Sequence, residues 1–205
     1  MSYDETDAAR DEMFDEIARE LYPEHIDEFI TERLQSYYIA NPGVMRPAVD
    51  AIQEGKKLNA NGHSAAAVVF FVIAIEQLLK ATLLKPVVHG LVHSEGLAEI
   101  IVEQVLGQSG FDRYRKLLGK LFSQLVGIEI TTVSRPDVTE ALLKECTAQQ
   151  SLRNKIIHQG ESATVDQAEV ARSVAVAVFD QVVRPMLAHL GLEAVEHGKI
   201  KRSGV

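Results

Sequence analysis

A single cysteine, Cys146, in 205 residues leaves no intramolecular disulfide to form, and a reducing cytoplasm is the expected location. Long apolar runs are missing too. The longest uncharged one, residues 65–75 (AAAVVFFVIAI), falls well short of the ~20 residues needed to cross a bilayer and reads as a buried helix. The opening residues, MSYDETDAARDE, have neither the basic start nor the apolar stretch of a secretory leader, so neither secretion nor a membrane partner is expected. No glycine-rich loop followed by Lys and Ser or Thr occurs, nor any GxSxG turn, which removes the footholds for a phosphate-loop ATPase and a serine hydrolase. No convincing run of alternating strand residues appears either. The expected fold class is all-α.

Charge is unevenly spread. The formal net charge is -8, yet residues 1–33 hold 12 acidic and 3 basic side chains while the remainder holds 17 and 18. The body of the chain is thus close to neutral and need not repel a polyanion. Between residues 111 and 160 there are eight Lys or Arg against five Asp or Glu, a mild basic bias and not a stripe. The acidic segment carries an apolar stripe at Met13, Phe14, Ile17 and Leu21, with which it could dock over a basic cleft or complete a helical bundle.

Periodicity and breakers divide the chain into an acidic amphipathic helical extension (1–40), a helical domain (41–191) and a polar, frayed tail (192–205). Ile26, Phe29, Ile30 and Leu34 form a second stripe in the extension. Within the domain, helices are expected from Val44 to Leu58, Ser64 to Lys85, Ser94 to Leu106 and Phe111 to Val126. The second of these would span about 33 Å and should be central. IEITTVSRPD, residues 128–137, is expected to be a loop. Pro136 then suits the start of a helix running through His158, and Thr164 with Gln167 is spaced as a capping box for a last helix to Leu190, kinked at Pro185.

The stretch LRNKIIHQG, residues 152–160, closes the penultimate helix. Gly160 is its stop. Asn154 and His158 are expected ~40° apart on that helix and Arg153 ~140° from His158, so the arginine must reach round. Two readings stay open on the residues alone. A histidine near a helix C-terminus interacts favourably with the dipole beside an ordinary glycine cap; alternatively, Arg153, Asn154 and His158 form a small reaction centre.

Arg153-Asn154-Lys155-Ile156-Ile157-His158 resembles the Arg-x4-His motif of the HEPN superfamily, small all-α domains that are often prokaryotic toxins or antiviral defence proteins. A polar residue directly after the arginine fits that pattern. AIEQLLKATLL, residues 74–84, is similar to the family's earlier apolar helix, and the helix after HQGESAT sits where the family has one. The resemblance covers residues 44–190 and says nothing of the acidic extension. In a subgroup paired with nucleotidyltransferase antitoxins a tyrosine stands two positions after the histidine; here that place is Gly160, so regulation through such a tyrosine is not implied, although another antitoxin or protein partner is.

What the resemblance implies is an antiparallel helical bundle acting as a metal-independent endoribonuclease on RNA, without a cofactor and as a homodimer whose two motifs share a cleft. Chemistry supplies the roles. RNA carries its own nucleophile, the 2′-hydroxyl, and histidine exchanges protons near neutral pH, so His158 is the candidate acid or base. Arg153 would hold the phosphate and its developing charge, and Asn154 would orient His158 or a phosphate oxygen. Glu76, a carboxylate in an apolar helix, needs a partner: Lys80 at i+4, or Arg153, which it would then fix in place. The alternative function is a non-catalytic HEPN module that binds nucleotide, RNA or protein. His89 and His93 have helical metal-ligand spacing on a connector broken by Pro86 and Gly90, and Glu95, Glu99 and Glu103 lack a Glu-x-x-His partner; no metal site is expected from either group.

Overall fold

A computed structural model describes residues 28–92, 94–103, 118–120, 122–123, 127, 129–136 and 138–204. Within them the chain is mostly helical, in keeping with the expected class, with one small sheet. The stripe at Met13, Phe14, Ile17 and Leu21, the histidine at position 93 and most of the helix expected over 111–126 lie outside the described residues.

Residues 28–40 are helical (α1), followed by α2 (Arg46–Ala60) and α3 (Ser64–Gln77). Without a break α3 passes into a π-helical segment, π1 (Leu78–Leu84), and then α4 (Lys85–Leu91). After α5 (Glu95–Ile101) come α6 (Leu142–Gln159) and α7 (Val165–Val178). A second π-helical segment, π2 (Phe179–Val183), leads into α8 (Arg184–His189).

The α3 helix is apolar all round because it is the centre of the bundle, with α2, α6 and α7 packed about it. Phe71, Val68, Ala74 and Leu79 are completely buried. Each large aliphatic or aromatic side chain so buried contributes roughly 1.5–3 kcal/mol. The helical run Ser64–Gly90 is 27 residues long and apolar enough by length and composition to cross a bilayer; here 61% of its most apolar window is buried within the bundle. Glycine is required opposite it: a Cβ at Gly55 would lie 2.7 Å from Phe71 Cε1, so α2 approaches α3 closely only because that atom is missing.

Pro86 does not end its helix as expected. Pro86 was expected to help close the central helix near Lys85; it sits instead at the second position of α4, and the helix continues to Leu91. A proline inside a helix lacks the amide that would bond the carbonyl four residues back, and its ring crowds that carbonyl. For Pro86 this carbonyl is Thr82 O, in π1, where the turn is widened. Tyr38 of α1 supplies the missing donor: its buried hydroxyl donates to Thr82 O at 2.5 Å. Burial raises the Tyr38 phenol well above its ordinary range, which keeps that proton in place. Pro185 repeats the pattern, at the second position of α8 directly after π2, and the two π segments pack on each other.

Two further expectations are corrected. The helix placed at Pro136 begins only at Leu142; residues 129–136 and 138–141 stay irregular, pinned by a bridge between Ser134 and Ala141 and by the Leu142 amide donating to Val133 O at 2.8 Å. The tail is not frayed. Leu192–Val195 (β1) and Lys199–Arg202 (β2) pair antiparallel, Leu192 opposite Arg202 and Val195 opposite Lys199. Leu192 and Ile200 are buried in the main core while Lys199 and Lys201 stay outside, the period of two that a strand needs. Leu34 and Tyr38 of α1 belong to that same core.

Candidate functional site

The residues singled out in the sequence lie on α6 and α3. The apolar stripe of α6, Leu142, Leu143 and Cys146 with Leu152 and Ile156 further along, faces the bundle. Gly160 ends the helix in the left-handed region at φ 68°, as its place in the sequence suggests. Four residues later the expected capping box opens α7: the Gln167 amide donates to Thr164 Oγ1 at 3.2 Å and the Thr164 amide to Gln167 Oε1 at 2.9 Å. Both helix ends are therefore fixed by local chemistry, and α6 and α7 pack side by side through an exposed turn.

Arg153 falls on the side of α6 that faces α3. Its Nη2 donates to Glu76 Oε1 at 3.1 Å and to Oε2 at 3.3 Å, while Nη1 donates to Asn154 Oδ1 at 2.9 Å. Of the two partners open to Glu76 in the sequence, Arg153 is thus present. Gln150 adds a bond from Nε2 to Glu76 Oε1 at 3.0 Å. The Glu76 and Arg153 side chains are 21% and 23% exposed, so the pair sits at the edge of the core, where one face still meets solvent. The buried Arg153 Nε and Gln149 Oε1, one helical turn apart, have no hydrogen-bond partner among the described residues.

Asn154 and His158 are exposed. His158 makes no hydrogen bond to the Glu76, Gln150, Arg153 and Asn154 group, and five residues of helix set it ~7.5 Å along the axis and ~140° round from Arg153. Four side chains are therefore brought together and the histidine stands beside them. Gln150 was missed in the sequence, because an uncharged amide on a polar stretch carries no signal until Glu76 is known to face it. Ile157, next to the histidine, is 50% exposed.

A groove of about 410 Å³ lies elsewhere, between Arg135 with Pro136 and the outer face of α7 and π2; Arg172, Ser173, Asp180 and Gln181 are among its other lining residues, and none of the motif residues is. At the start of α6, Arg135 grips Glu145 with Nε to Oε2 at 2.9 Å and Nη2 to Oε1 at 2.6 Å. That bond holds the Arg135 guanidinium more firmly charged than usual. Compared with family models, curated proteins and solved structures, the chain matches none of them.

Proposed function

We propose that this chain is a HEPN-type, metal-independent endoribonuclease of the toxin or antiviral-defence kind, acting as a homodimer. The observation that carries the reading is the clamp on Arg153: a carboxylate from the central helix holds a guanidinium at the edge of the core, five residues before an exposed histidine on the same helix. Such an arginine is oriented yet only partly spent, since Nη1 is shared with the exposed Asn154 and can turn to a phosphate oxygen. In the reaction, His158 takes the proton of the ribose 2′-hydroxyl as its oxygen attacks the adjacent phosphorus. Arg153 stabilises the added charge on the phosphoryl oxygens, and the bond to the 5′-oxygen breaks to leave a 2′,3′-cyclic phosphate. His158 of a second copy would protonate the departing oxygen. Two copies are invoked because one exposed histidine, ~140° from its arginine, supplies neither both proton transfers nor a closed cleft.

One observation favours the second reading, a non-catalytic HEPN module that binds nucleotide, RNA or protein: Arg153 is already paired, and the groove does not include it. Cleavage of single-stranded RNA in excess EDTA separates the two. The enzyme reading expects a 2′,3′-cyclic phosphate product, complete loss in His158→Ala, and loss of about 100-fold or more in Arg153→Ala. Strict dependence on an added divalent metal would sink it, as would undiminished cleavage by His158→Ala. Activity of a heterodimer of wild type and His158→Ala reads the composite site: much less than half the wild-type rate is expected, against about half for two independent sites.

A further inference from the structure

The groove beside α7 is built differently from the motif site, and its chemistry is graded along its length. Along the helical wall stand first Arg172 and Ser173, then Val176 and Ala177, and last Asp180 and Gln181, with Arg135 and Pro136 also lining it. Arg172 gives only Nε to Glu169 Oε2, at 2.7 Å, so both Nη groups lie outside that bond. Glu169 is itself held ionised by that bond and by Asn59, whose Nδ2 donates to its other oxygen at 2.8 Å, which fixes the arginine from behind. Asp180 accepts from Arg184 through Oδ1 alone, at 2.7 Å, in an exposed pair that water already shares. Eight residues separate Arg172 from Asp180, ~12 Å along the helix axis. Across the groove, Arg135 is held by Glu145 through Nε and Nη2.

We infer that this groove binds a small organic phosphate carrying an amino group about 12 Å from its phosphorus, with the phosphate between the free edge of Arg172 and the Ser173 hydroxyl and the amine on Asp180 and Gln181. A bare phosphate ion would leave most of a cavity of about 410 Å³ empty, and a phosphate with a plain alkyl chain would leave the Asp180 end without a donor. Neither Arg153 nor His158 takes part.

Calorimetric titration of the full chain with 8-aminooctyl phosphate, octyl phosphate and inorganic phosphate tests this. The aminated probe is expected to bind about tenfold or more tightly than either of the others, since each end adds a charge-assisted hydrogen bond. Arg172→Ala should weaken it by about tenfold, and Ser173→Glu, which sets a carboxylate in the phosphate end, by at least as much. Asp180→Asn should abolish its advantage over octyl phosphate. Circular dichroism confirms that these exposed or half-exposed variants fold. Binding in Arg153→Ala and His158→Ala should be unchanged, so a failure of the ribonuclease reading leaves this result standing. No saturable binding at millimolar probe, equal affinity for the three probes, or an unaffected Arg172→Ala would overturn it.

Discussion

The two halves of α6 do opposite work with the same pair of residue types. In the first half Leu142, Leu143, Cys146 and Gln149 are buried, and beyond Gln149 no residue of the helix is. Arg135 meets Glu145 there through two nitrogens on two oxygens, with side chains 19% and 11% exposed. In the second half Arg153 reaches Glu76 through one nitrogen, at longer distances, and divides its remaining donors between Asn154 and nothing. A bidentate pair with little water around it is held on two sides and does not readily change partners. A guanidinium held from one side at the edge of the core is oriented and still able to change partners. The first pair fastens Arg135, ahead of the helix, to the helix itself; the second is a mount for a group that faces outward.

Removing the arginines one at a time sharpens that contrast most. Arg135→Ala leaves Glu145 nearly dry and unpaired, and a loss of about 2–4 kcal/mol in urea unfolding is expected. Arg153→Ala breaks longer bonds beside solvent and should cost about 1–2 kcal/mol. Equal losses, or a larger one for Arg153, would erase the distinction between a fastening and a mount. Alkaline pH probes the dryness of the first half through Cys146, whose thiol burial pushes up to about 12. In the unfolded chain a thiol ionises near 8.5. The folded state thus holds a proton that the unfolded state gives up, so this contribution is complete below about pH 8.5 and is lost as pH rises towards 12. Roughly 1.5 kcal/mol should disappear between pH 8.5 and 10. Wild type should lose that much more than Cys146→Ala over the same interval; parallel curves would mean that water reaches the thiol.

Local signals were legible in the sequence and distant ones were not. Gly160 and the pair Thr164 and Gln167 act within one turn of chain, and each stands where its residue type suggests. The mostly helical class and the central place of the 65–75 run follow from apolar periodicity alone. Helix continuation through Pro86 could not be read, because the donor that serves Thr82 O comes from Tyr38, 44 residues away. The start of α6 was misplaced for the same kind of reason: Arg135 is turned towards Glu145 and away from a helix of its own. In the hairpin, KIKR alternates over too few residues to outweigh its charge, and Ile200 becomes a core residue only because the bundle end is there to receive it. The arginine and carboxylate of the motif region were visible as one of two pairings open to Glu76, and the bond itself depends on packing between α3 and α6.

The smallest expected effect tests whether the open half of α6 depends on its last turn. Gly160 has φ 68°, and a Cβ there would meet nothing within 4 Å, so a substitution changes backbone preference without touching a neighbour. Alanine in the left-handed region is disfavoured relative to glycine by about 1 kcal/mol, and asparagine, which tolerates that region, by less. Gly160→Ala should therefore lower stability by about 1 kcal/mol and Gly160→Asn by roughly half of that. The loss should be local. Hydrogen exchange at Gly160 and Glu161, whose amides donate to Ile156 O and Lys155 O, is expected to speed up in Gly160→Ala, while amides around Cys146 keep their wild-type protection. Fraying of that turn displaces His158 and leaves the Glu76 clamp on Arg153 in place, so on the proposed ribonuclease reading RNA affinity is expected to fall less than the cleavage rate. Equal protection changes at both ends of α6 would show that the helix opens as one unit, and the division drawn between its halves would then describe packing and not independent behaviour.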